Sequence, residues 1–168
     1  MSRTQTKLHH SPPNHRLSVQ GFSRITITEN GKIVGDSGFT GPNQITNLGF
    51  LNFLVKSLGA SSGSSQVGYV ALGTGGVPSA TDTTLSGEIM ASTKRQAVTF
   101  TNVGSTTAQF TATFASSASF VTTTYNISNI GLFAATATNA TLFAGNTYAS
   151  STINTNQDVN VTYQIRFS

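Results

Sequence analysis

The sequence predicts a mostly β fold: a single antiparallel β-sandwich or jelly-roll-like domain carrying one amphipathic helix and an extended N-terminal arm. Three observations lead there. A length of 168 residues falls within the usual range of one domain. The C-terminal half alternates apolar and polar residues at the period of half-buried strands, with turn residues at short intervals. Charged residues make up only 8% of the chain and hydrophobic ones 37%, so Ser, Thr, Asn and Gly must supply most of the surface. Patterned apolar content argues against disorder, and Thr suits a pleated, half-buried sheet. A surface with so little charge also costs little to desolvate against a neighbour, a first indication of assembly.

Residues 1–20 contain Pro12-Pro13, few apolar groups and no periodicity, and are expected to form the arm; residues 21–168 form the domain. Arg3, Lys7 and Arg16 lie in the arm with His9, His10 and His15, whereas the first acid is Glu29. Much of the net charge of +4 thus sits at one end, and Arg3, Lys7, Leu8, Pro12, Pro13, Arg16 and Leu17 are the expected contacts with an acidic surface. A solvated tail is the plainer alternative. Phe22, Ile25 and Ile27 lead into Asn30-Gly31 and then Ile33-Val34, the pattern of a tight hairpin. Ile45, Leu48, Leu51, Leu54, Val55 and Leu58 recur at spacings of three and four between Pro42 and Gly59, which predicts a well-buried helix over about 43–58. The Ser-rich run at 60–65 reads as a loop. Strands are expected at Val67–Leu72, Ala97–Val103, Ala108–Phe114, Phe120–Phe133, Thr141–Tyr148 and Val159–Phe167, with Val98 and Phe100 inward on one of them.

No chemistry-bearing constellation emerges. Gly35-Asp36-Ser37-Gly38 has the form of a serine-protease nucleophile turn, but every histidine lies upstream in the arm, so a structural turn is expected. Gly73-Thr74-Gly75-Gly76 follows a predicted strand without the Gly-Lys-Ser/Thr of a phosphate loop and reads as a change of direction. The three histidines sit in a Pro-broken segment with no supporting carboxylate, so no metal site and no cofactor are expected. With no cysteine, neither disulfides nor thiolate ligands hold the fold. Three glycosylation sequons, beginning at Asn126, Asn139 and Asn160, are what an Asn- and Thr-rich sequence produces by chance. No run of 18 apolar residues and no leader pattern is present, so a non-secreted, non-membrane protein made in the cytosol is expected. Nucleic-acid binding has a limited case in the basic arm, Lys94-Arg95 and the aromatics Phe100, Phe110 and Phe114. An enzyme is not expected.

Three segments occur in a suggestive order: Tyr69-Val70-Ala71-Leu72-Gly73-Thr74-Gly75 with Pro78 to Leu85, then Ile127 to Phe133, then Thr141 to Ala144 with the alternating Val159 to Phe167. Together, over roughly residues 43–167, they resemble small β-sandwich structural proteins of tailed bacteriophages. The resemblance implies a non-enzymatic virion component, made in the bacterial host cytoplasm, that decorates or cements a capsid at junctions between coat subunits. It implies as partners the major capsid protein or other virion proteins, and a homo-oligomer, trimer or dimer. A tail, baseplate or fibre component with a receptor- or glycan-binding role is the alternative, for which Tyr69, Tyr125 and Tyr148 are the aromatic candidates. A nucleic-acid-binding protein is the second alternative.

Overall fold

The computed structural model describes residues 17–59, 65–89, 95–137 and 139–168; the arm positions Arg3, Lys7, Leu8, Pro12, Pro13 and Arg16 lie outside them. The chain opens with the hairpin that Asn30-Gly31 predicts: β1 (Val19–Glu29) and β2 (Lys32–Asp36) pair antiparallel. Asn30 and Gly31 both have positive φ, 51° and 74°, which matches the twist of the two strands. A short β3 (Gln44–Ile45) leads into a helical segment over 47–58, here α1. After β4 (Tyr69–Gly73) and β5 (Gln96–Ala97) the chain returns through β6 (Thr99–Asn102) and β7 (Thr107–Phe114). It finishes with β8 (Tyr125–Phe133), β9 (Leu142–Ile153) and β10 (Asp158–Phe167).

These strands build two five-stranded sheets, in the orders β2-β1-β10-β7-β6 and β3-β9-β8-β4-β5, with every pairing antiparallel. The sandwich expected from alternation is therefore the fold. β10 is the middle strand of the first sheet, between β1 and β7. Its Val159, Val161, Tyr163 and Ile165 point inward with Ile25, Ile27 and Phe114 of the neighbouring strands. They meet Val70, Leu72, Ile127, Ile130, Leu132 and Ile153 of the second sheet in one apolar core. The second sheet is also covered on its outer face, where Leu85 packs on Ala71, Phe133 and Leu142. That double burial explains why Val70–Gly73 and Asn129–Phe133 are buried without a break rather than alternating.

Several boundaries move for identifiable reasons. β1 begins at Val19, where Val19 pairs with Phe167 and Gln20 with Arg166, so positions 19 and 20 belong to the sandwich rather than to the arm. Helical backbone begins at Asn47, because Gln44-Ile45 pairs with Gly145 and Ala144 first. The run Ala97–Val103 splits at Val98, since β5 pairs with β4 and β6 with β7, in different sheets. Residues 120–124 are not strand: the 3₁₀ turn Ser116–Ala118 and Ser119 at φ 52° redirect the chain, and Phe120 and Val121 plug the core from the loop. Phe100 corrects an expectation as well. It sits on edge strand β6, is 56% exposed, and contacts Phe110 from outside, at 5.6 Å between ring centroids.

Candidate functional site

α1 is fixed to the sandwich along one side. Thr46 caps its first turn: its hydroxyl accepts from the Gly49 amide at 2.9 Å and donates to the Leu142 carbonyl at 2.6 Å. A Cβ at Gly49 would stand 2.1 Å from the Phe143 carbonyl oxygen, so only glycine lets the helix backbone lie this close to β9. One turn on, Phe53 packs on Phe143 with ring centroids 4.9 Å apart. Between these contacts and the end of the segment, Phe50–Val55 is wound as a π-helix flanked by α-helical Asn47–Gly49 and Lys56–Leu58. Such insertions are uncommon and recur at functional sites.

The opposite side of α1 is the unexpected one. The spacing of three and four that predicts a buried helix is real, but Leu48, Leu51, Val55 and Leu58 carry it outward, at 37, 47, 57 and 90% exposure. Phe50 stands beside them at 41%. Only Gly49 and Phe53 of the segment are buried. Lys56 is the one charged residue in 47–58, so the outward face is an apolar stripe with almost no charge to keep it solvated. Next to it a cavity of about 400 Å³ opens between the helix and the end of the sandwich, lined by Phe53, Leu54, Val67, Phe100, Phe110 and Phe167 among others. The helical residues that line the cavity are Phe53, Leu54 and Ser57, so the stripe and the cavity are separate apolar features of the same segment.

The motifs singled out in the sequence have structural work instead. The Asp36 carboxylate accepts both Arg24 Nε at 3.0 Å and Arg24 Nη2 at 2.6 Å, and the Gly38 amide at 2.9 Å. Ser37 Oγ accepts the Ile25 amide and donates to the Gly38 carbonyl, so the Gly-Asp-Ser-Gly segment is a turn braced on β1. In the second glycine run, a Cβ at Gly75 would lie 2.2 Å from the Ser86 carbonyl oxygen and one at Gly73 2.4 Å from Asn129 Oδ1. The run is a site of close chain crossing, with Ser128 Oγ donating to the Gly75 carbonyl and Asn129 Nδ2 to the Gly76 and Ser86 carbonyls.

The residues named for nucleic acid do not form a surface. Phe110 and Phe114 are core side chains at 8% and 0% exposure. Arg95 is buried against Glu88, with Nε to Oε1 at 2.7 Å and Nη2 to Oε2 at 3.0 Å, while Nη1 donates to the Ala135 and Ala137 carbonyls and the guanidinium stacks 3.5 Å from the Phe133 ring centroid. All its heads of charge are spoken for. Of the three tyrosines suggested for a glycan site, Tyr148 is in the core and Tyr69 packs against the outer cluster of the second sheet. Burial pushes the Tyr148 hydroxyl well above its usual range, as it does for Tyr163, whose hydroxyl accepts from Asn43. Of the expected arm contacts only Leu17 is among the described residues, and it is exposed. Among those residues no three His, Asp or Glu side chains gather as a metal site would require, and no helix is long and apolar enough to cross a membrane.

No protein-family model matches the sequence, and no curated protein and no solved structure matches the chain. The functional reading therefore stands on the surface just described and on the motif order in the sequence.

Proposed function

We propose that this chain is a non-enzymatic structural protein that acts by docking on other protein surfaces, and that it decorates or cements the capsid of a tailed bacteriophage. The observation that carries the docking half is the apolar stripe on α1. A cap-anchored helical segment presents four aliphatic side chains and Phe50 to solvent within one stretch of twelve residues, on a chain rich in Ser, Thr and Asn. Exposed apolar area of this kind is a liability unless a partner covers it. The virion half rests on the order of the three sequence segments that resemble phage sandwich proteins. Bound copies would then stabilise the assembled shell by mass action, with the basic arm gripping a neighbouring subunit.

The test is co-sedimentation with purified capsids of the phage that encodes the chain, together with the temperature at which those capsids release their contents. The full chain is expected to pellet with capsids and raise that temperature. A chain lacking residues 1–16 is expected to bind more weakly; the cut stops there because Val19 and Gln20 are paired in β1. Failure of the full chain to pellet with capsids defeats the decoration reading and directs attention to tail assemblies.

A further inference from the structure

The cavity between α1 and the end of the sandwich carries an inference that does not depend on the capsid reading. We infer that it is the binding site of a small, neutral, largely apolar molecule with aromatic or alicyclic rings. Protein interiors hold few voids larger than a water molecule, so an opening of about 400 Å³ between the helix and both sheets is out of proportion to ordinary packing. It falls within the range of ligand pockets, roughly 300–1,000 Å³. A closed apolar cavity of about 150 Å³ takes up benzene, so by proportion this one holds about 15 non-hydrogen atoms.

The walls define the class of molecule. Five of the chain's eleven phenylalanines converge here: Phe53 from α1, Phe100 from β6, Phe110 from β7, Phe143 from β9 and Phe167 from β10. They include two tilted pairs, Phe53 with Phe143 and Phe100 with Phe110, whose edges and faces suit a further ring. None of the described lining residues is ionisable, so a charged ligand would lose hydration and gain no counter-ion. Among the polar lining residues, the Ser57 hydroxyl donates to the Phe53 carbonyl and Gln66 is exposed, which places any polar group of the ligand at the mouth. Phe100, half in solvent on the edge strand, gains cover when the cavity fills. The helical wall is made by Phe53 and Leu54 of the π-helical stretch, an insertion of the kind that recurs at functional sites. That wall is fixed in advance by the Thr46 cap and the close approach at Gly49, so little freedom is left to lose on binding.

The probe is phenylnaphthylamine, an uncharged dye of about this size whose fluorescence rises in apolar surroundings. The full chain titrated into a trace of the dye should raise and blue-shift its emission, with a Kd of about 100 μM or below, as the ligand efficiency of drug-sized molecules gives. The sulfonated form, anilinonaphthalene sulfonate, should bind at least about tenfold more weakly. Ala108→Leu adds bulk from the β7 wall and should lower affinity for the neutral dye at least about tenfold. Phe100→Ser, at an exposed position that the fold does not need, should lower it about threefold or more with circular dichroism unchanged. Leu58→Ser, on the outward stripe, should leave it unchanged. A full chain that does not bind the neutral dye overturns the inference. So does equal binding of the sulfonate, loss of binding in Leu58→Ser, or undiminished binding in a folded Ala108→Leu or Phe100→Ser protein, each of which puts the dye on the open surface. Binding that appears only after removal of residues 1–16 overturns it as well and gives the cavity to the chain's own first residues, since Val19 pairs with Phe167 of the lining. None of these outcomes bears on capsid binding, which the pelleting experiment reads separately.

Discussion

β10 and α1 are the two most regularly apolar segments of the chain, and the fold treats them in opposite ways. β10 turns its periodic face inward: Val159, Val161, Tyr163 and Ile165 are all within 3% of full burial. α1 turns its inner side to β9 through a glycine and a phenylalanine and leaves its aliphatic row in solvent. Periodicity thus states that a face exists and of which residues it is made. It does not state whether the face is covered by the rest of the same chain, because that depends on which side of the helix can approach the sheet. Gly49 decides the matter here, since it permits contact with the Phe143 carbonyl that no leucine of the stripe could make.

One substitution in each segment separates the two cases. Val161→Asp buries a carboxylate in the core with no partner and should cost about 5 kcal/mol, enough to unfold a domain of ordinary stability. Leu51→Asp, measured in dilute protein where association contributes nothing, should change stability by no more than about 0.5 kcal/mol. Urea denaturation followed by circular dichroism measures both. Equal losses would mean that the α1 stripe is part of the fold's own core after all.

The contrast extends to charge. Glu88 and Arg95 form an ion pair taken out of water, at 7% and 2% side-chain exposure. Glu88→Ala leaves a buried guanidinium facing a void and should cost about 3–5 kcal/mol in the same denaturation experiment. A loss below 1 kcal/mol would show that water reaches Arg95 and that the outer face of the second sheet is looser than its packing implies.

How much of this could be read beforehand divides along the same line. The hairpin was legible because Asn30-Gly31 is a local signal, and β10 because its alternation is strict and its neighbours β1 and β7 share it. The exposed stripe was legible as a set of residues but not as a surface. The Arg95–Glu88 pair was not legible at all. Seven residues separate its partners across a change of direction, and its other contacts come from Ala135 and Ala137, about forty residues on. Phe100 misled for a related reason: its alternation with Val98 is that of a core strand, but the two residues lie on either side of the point where the chain leaves one sheet for the other. Side chains whose environment is set by such long-range crossings carry no local signature.

Gly49→Ala tests the close approach of the helix to β9 directly. The added methyl would have to push the helix from β9, at a cost of about 1–3 kcal/mol typical of overpacking, even though alanine is the better helix former. Thermal unfolding reads that loss. A stabilised Gly49→Ala protein would mean that the helix is not held at the distance described, and the account of why the stripe faces solvent would fall with it.

The smallest effect belongs to the edge of the sheet that β10 centres, where Arg24 of β1 reaches Asp36 of β2. The Arg24 hydrogen bonds, followed by that from the Gly38 amide, hold the Asp36 carboxyl at about 2, below its ordinary value of 3.8. A carboxyl depressed on folding contributes stability that is fully present above its ordinary value and is lost as pH falls through the depressed one. Both side chains are substantially exposed, so the contribution is modest and screened by salt. Comparing melting temperatures of the unmodified chain and Asp36→Asn should therefore show a gap of a degree or two near neutrality that closes as pH drops from about 4 towards 2, and that also shrinks in molar salt. Asparagine retains an oxygen for the Gly38 amide and loses the charge together with the second oxygen that accepts from Arg24 Nη2. A gap that survives both acid and salt would assign the role of Asp36 to the shape of the turn, leaving β2 attached to the sheet by its backbone pairing alone.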